Sequence, residues 1–238
     1  MQLSFPLLAG ASLMLGGCQL ISKDHDSGPR ATRDFSVTGF TKLSVAGNYD
    51  VEVHTGSAPS VHAEGGKARL DALDVKVEDG TLRIGARSGV HWGWSDNGKV
   101  RLIVTVPALE AAELAGSGDI SVDRASGPEF AGTIAGSGNL KLGSIKAQTV
   151  KLELSGSGDI QAAGETTTVS YNLAGSGDID ATGLIAKTAA LSMAGSGGIK
   201  GHASQSATID MAGSGNVTMT GGGKCTIAKQ GSGEVRCS

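Results

Sequence analysis

The side chains of this sequence that could do chemistry are carboxylates, serines, histidines and cysteines, and the carboxylates recur most regularly. Asp119, Asp159 and Asp178 each follow a Gly-Ser-Gly triplet directly. Two carboxyl groups about 5 Å apart can serve as acid and nucleophile in glycoside hydrolysis. Asp159 and Asp178 follow successive triplets, so stacked repeats would bring them to that separation. Acids in turns more often accept hydrogen bonds from backbone amides, and we favour that structural role.

The serines and histidines offer weaker chemistry. Gly-Ser-Gly occurs seven times, and no copy has the flanking residues of a nucleophile elbow. One acidic residue per repeat is fewer than calcium-binding nonapeptide repeats supply. The five histidines show no metal-ligand spacing. The sequence therefore predicts a protein that is not an enzyme and that has no metal site and no cofactor.

His91, Trp92 and Trp94 lie in one short segment that holds both tryptophans of the chain. Aromatic side chains in a loop can stack on sugars or anchor a protein partner. They can also fold over an open end of the molecule, and we favour this capping role. Together with Asp159 and Asp178, these three residues are the candidate binding residues.

Cys18 ends an apolar run, Leu3 to Leu15, that is too short to span a bilayer stably. The segment Leu15-Gly16-Gly17-Cys18 resembles the lipobox of bacterial lipoproteins. This resemblance implies that residues 1–17 are a signal peptide and that Cys18 carries the lipid that anchors the chain to a membrane. Gln19 stands where an inner-membrane retention signal has Asp, which implies the outer membrane. The alternative is an ordinary signal peptide with an incidental cysteine.

Cys225 and Cys237 are the cysteines that remain. Disulfides persist in exported proteins, and two cysteines can pair with each other. A bond between them would close a short loop and clamp the last repeat. Two separate reduced thiols are the alternative.

The elements that must position these groups follow from the triplets, which recur every 18 to 20 residues. Aliphatic residues lie two positions after every triplet and two positions before most of them. This alternation predicts two short strands around each triplet, each with one buried face. Glycine reaches positive φ and leaves room for turns that stack about 4.8 Å apart.

We therefore predict an all-β fold, a parallel β-helix (a solenoid) with about seven regular coils of three short strands. An antiparallel sandwich is less favoured because the spacers lack hairpin turn chemistry. Residues 35–238 form one continuous domain, in which 35–113 are irregular N-terminal coils and a cap and 114–238 are the regular repeat. Residues 18–34 are polar and predict a flexible tether.

The irregular region contains recognisable elements. Leu43 to Val53 follows the template of the regular coils and predicts a degenerate first coil. Alternating aliphatic residues around Asp79-Gly80 predict a hairpin. Val100 to Val106 predicts a further strand, and Lys67 to Leu73 is the one helix candidate.

Several segments resemble one known family. They are Phe40-Thr41-Lys42-Leu43-Ser44-Val45, Val75 to Ile84, Val104-Thr105-Val106-Pro107-Ala108-Leu109 and the repeated Gly-Ser-Gly-Asp-Ile. Through them, residues 35 to 238 resemble the putative auto-transporter adhesin, head GIN domain family. The resemblance implies a right-handed β-helix on bacterial cell envelopes and brings no catalytic residues.

The expected function is that of a non-enzymatic envelope lipoprotein, an adhesin or other surface-binding protein. Its expected partners are the membrane, through the lipid anchor, and a polysaccharide or a surface protein. Nucleic acid is not expected, because the net charge is −3 and no basic stripe with interleaved aromatics occurs. The alternatives are a polysaccharide lyase or hydrolase, and a structural or signalling-associated envelope component.

Overall fold

The computed structural model describes residues 28–89 and 99–238, which are mostly β-strand. One short helix, α1, spans Lys67–Asp71, within the segment predicted as helix. The strands form one hydrogen-bonded sheet. They are β1 (Arg30–Phe35), β2 (Lys42–Gly47), β3 (Tyr49–Thr55), β4 (Ser60–Gly66), β5 (Leu73–Glu78), β6 (Thr81–Ala86), β7 (Val100–Val106), β8 (Ala111–Gly116), β9 (Asp119–Val122), β10 (Ala125–Gly136), β11 (Asn139–Gly156), β12 (Asp159–Gly175), β13 (Asp178–Gly195), β14 (Gly198–Gly213), β15 (Asn216–Thr220), β16 (Lys224–Gln230) and β17 (Glu234–Cys237).

From β8 onward the chain winds into coils that pair in parallel with their neighbours. The first glycines of successive triplets lie beside one another along the stack. The predicted parallel β-helix is confirmed, with about six turns where about seven were predicted. The predicted short strands are merged, since β11 to β14 are 16 to 18 residues long. Hydrogen bonding between coils continues around most of each bend, which joins the segments of a coil into one strand.

The triplet requires glycine at its first and third positions for different reasons. Gly136, a first glycine, has φ of 144°, a conformation that side chains with a Cβ rarely adopt. Gly158, a third glycine, lies against the preceding coil, and a Cβ there would collide with the carbonyl oxygen of Gly138. Both features confirm that the triplet is a turn built for stacking.

Apolar side chains of complementary size fill the interior of the coils. A Cβ at Gly132 would lie 2.9 Å from a methyl carbon of Leu140 and 3.1 Å from one of Leu152. Gly201 similarly leaves room for the ring of Tyr171, at 3.3 Å from such a Cβ. The hydroxyl of Tyr171 is buried without a hydrogen-bond partner among the described residues, and burial raises its pKa. The interior is therefore occupied by packed side chains.

Two further layers of the same stack come from the N-terminal region. Strands β2 and β3 pair in parallel with β8 and β9, which places Gly47 beside Gly116 and Asp50 beside Asp119. The degenerate coil predicted over Leu43 to Val53 is therefore confirmed. On its other side, β6 and β7 pair in parallel with β2 and β3. The chain thus places a layer beneath its first coil before it continues into β8.

Antiparallel strands cover the outer edge of this lowest layer. Strand β5 pairs with β6 through the predicted turn, where Asp79 and Gly80 both have positive φ. Strand β4 pairs with β7, and β1 pairs with β4. An edge that is paired in this way is protected against edge-to-edge association.

Strand β1 includes residues for which the sequence predicts a flexible tether. The Arg33 guanidinium donates to the carbonyl oxygen of Leu70 at 3.1 Å. The Asp34 carboxylate lies 2.6 Å from His62 Nδ1 and, through this hydrogen bond, raises the pKa of that histidine. The flexible tether predicted for residues 18–34 is therefore wrong from residue 30 onward, because backbone pairing and these contacts fix the chain there.

The C-terminal end is closed differently, by β16 and β17. Cys225 and Cys237 form a disulfide with a Cα–Cα distance of 6.6 Å, which confirms the predicted pair. Lys229 continues a column that is apolar in the earlier coils, and its ammonium group donates to the carbonyl oxygen of Gly233 at 2.7 Å. Ile227, above the core, is 47% exposed. No helix in the described residues is long and apolar enough to cross a membrane.

Candidate functional site

An open groove of about 540 Å³ runs along the face of the solenoid that follows the triplets. It crosses four coils, from β3 through β9 to the first segments of β11 and β12. Two columns of outward side chains line it, and strand residues with buried side chains form its floor. The lining residues are Asp50, Val51, Glu52, Asp119, Ile120, Ser121, Asn139, Leu140, Lys141, Asp159 and Gln161.

The first column, which we call the acid ladder, comprises Asp50, Asp119, Asn139, Asp159 and Asp178, each in register with the next. The Asn139 amide donates to Oδ1 of Asp119 at 2.7 Å. Oδ1 of Asp159 accepts the backbone N–H of Asp178 at 3.1 Å. Both bonds join one coil to the next, so these acids stabilise the stack.

Cations from β7 and the residue before it neutralise the acids at the N-terminal end of the groove. Lys99 Nζ lies 3.3 Å from Oδ1 of Asp50. Arg101 NH2 donates to both carboxylate oxygens of Glu52, at 2.7 and 2.8 Å. The same hydrogen bonds raise the pKa of the Arg101 guanidinium.

The predicted carboxylate pair, Asp159 and Asp178, lies on adjacent coils, about 5 Å apart by the strand spacing. Asp159 lines the groove and Asp178 does not. Because Asp159 accepts a backbone amide, the structural role that the sequence favoured for it is observed. Within residues 28–89 and 99–238, no group of three His, Cys, Asp or Glu side chains is placed to hold a metal ion.

The second column lies two residues further along each strand, and we call Ser121, Lys141 and Gln161 the groove ladder. They are in register on three successive coils, and all three are exposed. In the part of the chain that the structure describes, their side chains make no hydrogen bond or ion pair. Sequence reasoning missed this column, although counting two residues on from each acid would have aligned it.

The remaining predicted site residues fall outside the described residues. They are Cys18, His91, Trp92 and Trp94. The segment with the tryptophans is followed by Lys99, which contacts Asp50 at the end of the groove.

Comparison with solved structures identifies proteins of the same architecture. A putative adhesin from Bacteroides fragilis is 19% identical, with a TM-score of 0.79 over 90% of this chain and 99% of that chain. A putative lipid binding protein from Parabacteroides distasonis is 23% identical, with a TM-score of 0.70 over 89% and 97%. A putative adhesin from Parabacteroides merdae is 17% identical, with a TM-score of 0.69 over 89% and 97%. At these identities the likeness shows the fold alone.

No curated protein sequence matches this chain significantly. The family described as putative auto-transporter adhesin, head GIN domain, matches residues 39–223, which is most of the chain. The resemblance seen in the sequence over residues 35 to 238 is thereby confirmed. This chain belongs to the family described as putative auto-transporter adhesin, head GIN domain.

Proposed function

We propose that this chain is a non-enzymatic adhesin of the bacterial cell envelope, held to the outer membrane by a lipid on Cys18. The observation that carries the proposal is the engagement of the acid ladder. Asp119 and Asp159 are bonded to neighbouring coils and Asp50 is paired with Lys99, which supports a structural role for these acids and a solenoid that serves as a long scaffold with regular outward columns. Membership of a family described as putative adhesins supports the same function.

The lipid-binding description of the Parabacteroides distasonis protein suggests lipid as another ligand class. A lipid tail needs an apolar cavity or an exposed apolar surface. In the described residues the core is filled, and Ile185 and Ile227 are the exposed large apolar side chains. They lie on different parts of the solenoid, so we favour a polar surface as the ligand.

Deletion of the gene tests the adhesive role. We expect the deletion strain to lose attachment to the surface or matrix that the wild-type strain binds, and the full-length chain to restore it. Unchanged attachment of the deletion strain on every surface that the wild type binds would contradict the proposal.

Two substitutions test the anchor. Cys18→Ala removes the acylated thiol, so we expect the chain to leave the membrane fraction. Ser22→Ala, four residues away, is the matched control and should stay there. Gln19→Asp should move the protein from the outer to the inner membrane. Membrane retention of the Cys18→Ala protein would contradict lipid anchoring.

The alternative, a polysaccharide-cleaving enzyme, depends on Asp159 and Asp178. Their adjacent positions favour it, whereas the engagement of Asp159 by a backbone amide does not. Any cleavage activity found for the purified chain should persist in an Asp159→Asn/Asp178→Asn variant. Loss of that activity with retained folding would restore the enzyme hypothesis.

A further inference from the structure

The polar groups that line the groove are unequally satisfied. Asp50 and Glu52 are paired with cations, and Asp119 and Asp159 accept hydrogen bonds from the neighbouring coils. The exposed side chains of the groove ladder have no such contacts among the described residues. A ligand in the groove would therefore meet a hydroxyl, an ammonium and an amide whose hydrogen-bonding capacity is unused within the protein.

The groove ladder runs along the solenoid axis. Its three members repeat at the spacing of neighbouring strands, so the four coils of the groove extend about 14 Å along that axis. Because strands form the floor and the groove is open along its length, it can accommodate an extended polymer that lies along the solenoid axis. A compact ligand would reach only one or two members of the ladder.

The charges and side chains of the groove indicate which class of polymer it can bind. Four carboxylates and the ammonium of Lys141 line it, and Lys99 and Arg101 neutralise two of those carboxylates. The charge that remains is weakly negative, so the groove does not favour a polyanion. A protein partner would need buried aromatic or aliphatic anchors, and the described apolar side chains that line the groove are buried in the core. Sugar hydroxyls both donate and accept hydrogen bonds, so they suit mixed carboxylate, amide and ammonium groups.

We propose that this groove is the binding site for a neutral, linear polysaccharide, with Lys141 and Gln161 as the main hydrogen-bond donors to its hydroxyl groups. The inference rests on the proposed adhesive function and names the ligand class and the face that binds it. The polymer lies along the solenoid axis and contacts successive coils through equivalent positions. Binding through hydrogen bonds of this kind depends little on ionic strength.

The chain offers a matched control for the test. Lys146 and Gln148 are also an exposed lysine and an exposed glutamine, and they lie on the strand segment after the next bend, outside the groove. The variants to compare are Lys141→Ala/Gln161→Ala and Lys146→Ala/Gln148→Ala, both in the mature chain. Affinity electrophoresis measures binding to an α-mannan, a β-glucan, a galactan and a xylan, with polygalacturonate and chitosan as the anionic and cationic comparisons.

We expect the wild-type chain to bind at least one neutral polymer more tightly than either charged polymer. We expect the groove variant to lose about thirtyfold in affinity, which corresponds to two hydrogen bonds of about 1 kcal/mol each, and the control variant to bind like the wild type. Equal binding by both variants would overturn the groove assignment and leave the adhesive function standing. Binding of none of the neutral polymers, or preferential binding of polygalacturonate that weakens with salt, would overturn the ligand class.

Discussion

Two columns of side chains run along the same face of this solenoid, two residues apart in every coil, and they differ in what their polar groups contact. The acid ladder is bonded to neighbouring coils and to Lys99. The groove ladder is exposed and makes no such contact among the described residues. In this solenoid, the acids that recur after the triplets make bonds from one coil to the next. Residues available to a ligand occupy equivalent positions and vary in type from coil to coil.

The largest expected effect comes from a change that breaks both ladders at once. Gly158→Val places a side chain against the carbonyl oxygen of Gly138, so the turn cannot stack and both columns lose their register. We expect a loss of about 3 kcal/mol or more in the free energy of unfolding, measured by chemical denaturation.

Ser157→Ala, at the exposed middle position of the same triplet, is the control for that change. It should alter the free energy of unfolding by less than about 0.5 kcal/mol. Equal stability of the Gly158→Val and Ser157→Ala proteins would contradict the steric account of the turn.

The next effect is expected at the last coil, which lies beyond both ladders. Cys225→Ser/Cys237→Ser opens a loop with a sequence separation of 12 residues. Because that crosslink restricts the unfolded chain, we expect a loss of about 3 kcal/mol at most. Calorimetry checks this, and wild-type protein in reductant should match the double variant.

The groove is several coils away from that disulfide, so polysaccharide binding should be retained in the Cys225→Ser/Cys237→Ser protein. If this variant lost polysaccharide binding, the ligand would bind at the C-terminal end of the solenoid and not in the groove.

A smaller effect on stability is expected in the acid ladder. Asp159→Ala removes an acceptor from the backbone N–H of Asp178, which also donates to the carbonyl oxygen of Gly158 at 3.3 Å. Since this amide keeps its second acceptor, we expect a loss of about 0.5 kcal/mol in the free energy of unfolding. Asp210→Ala, at an exposed aspartate outside the groove, should leave stability unchanged.

The smallest effect on stability is expected in the groove ladder. Lys141→Ala removes an exposed side chain without a bonded partner among the described residues, so the free energy of unfolding should change by less than about 0.5 kcal/mol. The same substitution should weaken polysaccharide binding more than Asp159→Ala does. The reverse order, with Asp159→Ala the more harmful to binding, would make the acid ladder the ligand site.

Much of the fold could be predicted because the turn residues and the spacing of the aliphatic residues favour the same coils that stacking stabilises. The spacing of the triplets predicted the coils, Asp79-Gly80 predicted its hairpin, and the cysteine count predicted the disulfide. The layer of β6 and β7 beneath β2 and β3 could not be predicted, because it depends on a reversal in the order of stacking and has no triplet. The pairing of Lys99 with Asp50, 49 residues apart, follows from that layer.

The candidate site could be predicted only in part. The acids drew attention because one residue type recurs, and for Asp159 a structural role was rightly favoured. Ser121, Lys141 and Gln161 share no chemistry, so no motif connects them until the register of the coils is known. The groove itself arises from the packing of four coils, one of which precedes the regular repeat.

Chemical labelling of lysines with and without bound polysaccharide tests the central claim most directly. The mature chain is acetylated in the presence of the neutral polymer that it binds most tightly, and the rate at each lysine is followed by mass spectrometry. We predict that bound polymer slows acetylation of Lys141 several-fold and leaves Lys146 and Lys187 unchanged. An unchanged rate at Lys141 while the polymer is bound, or slower acetylation of Lys146, would contradict the account.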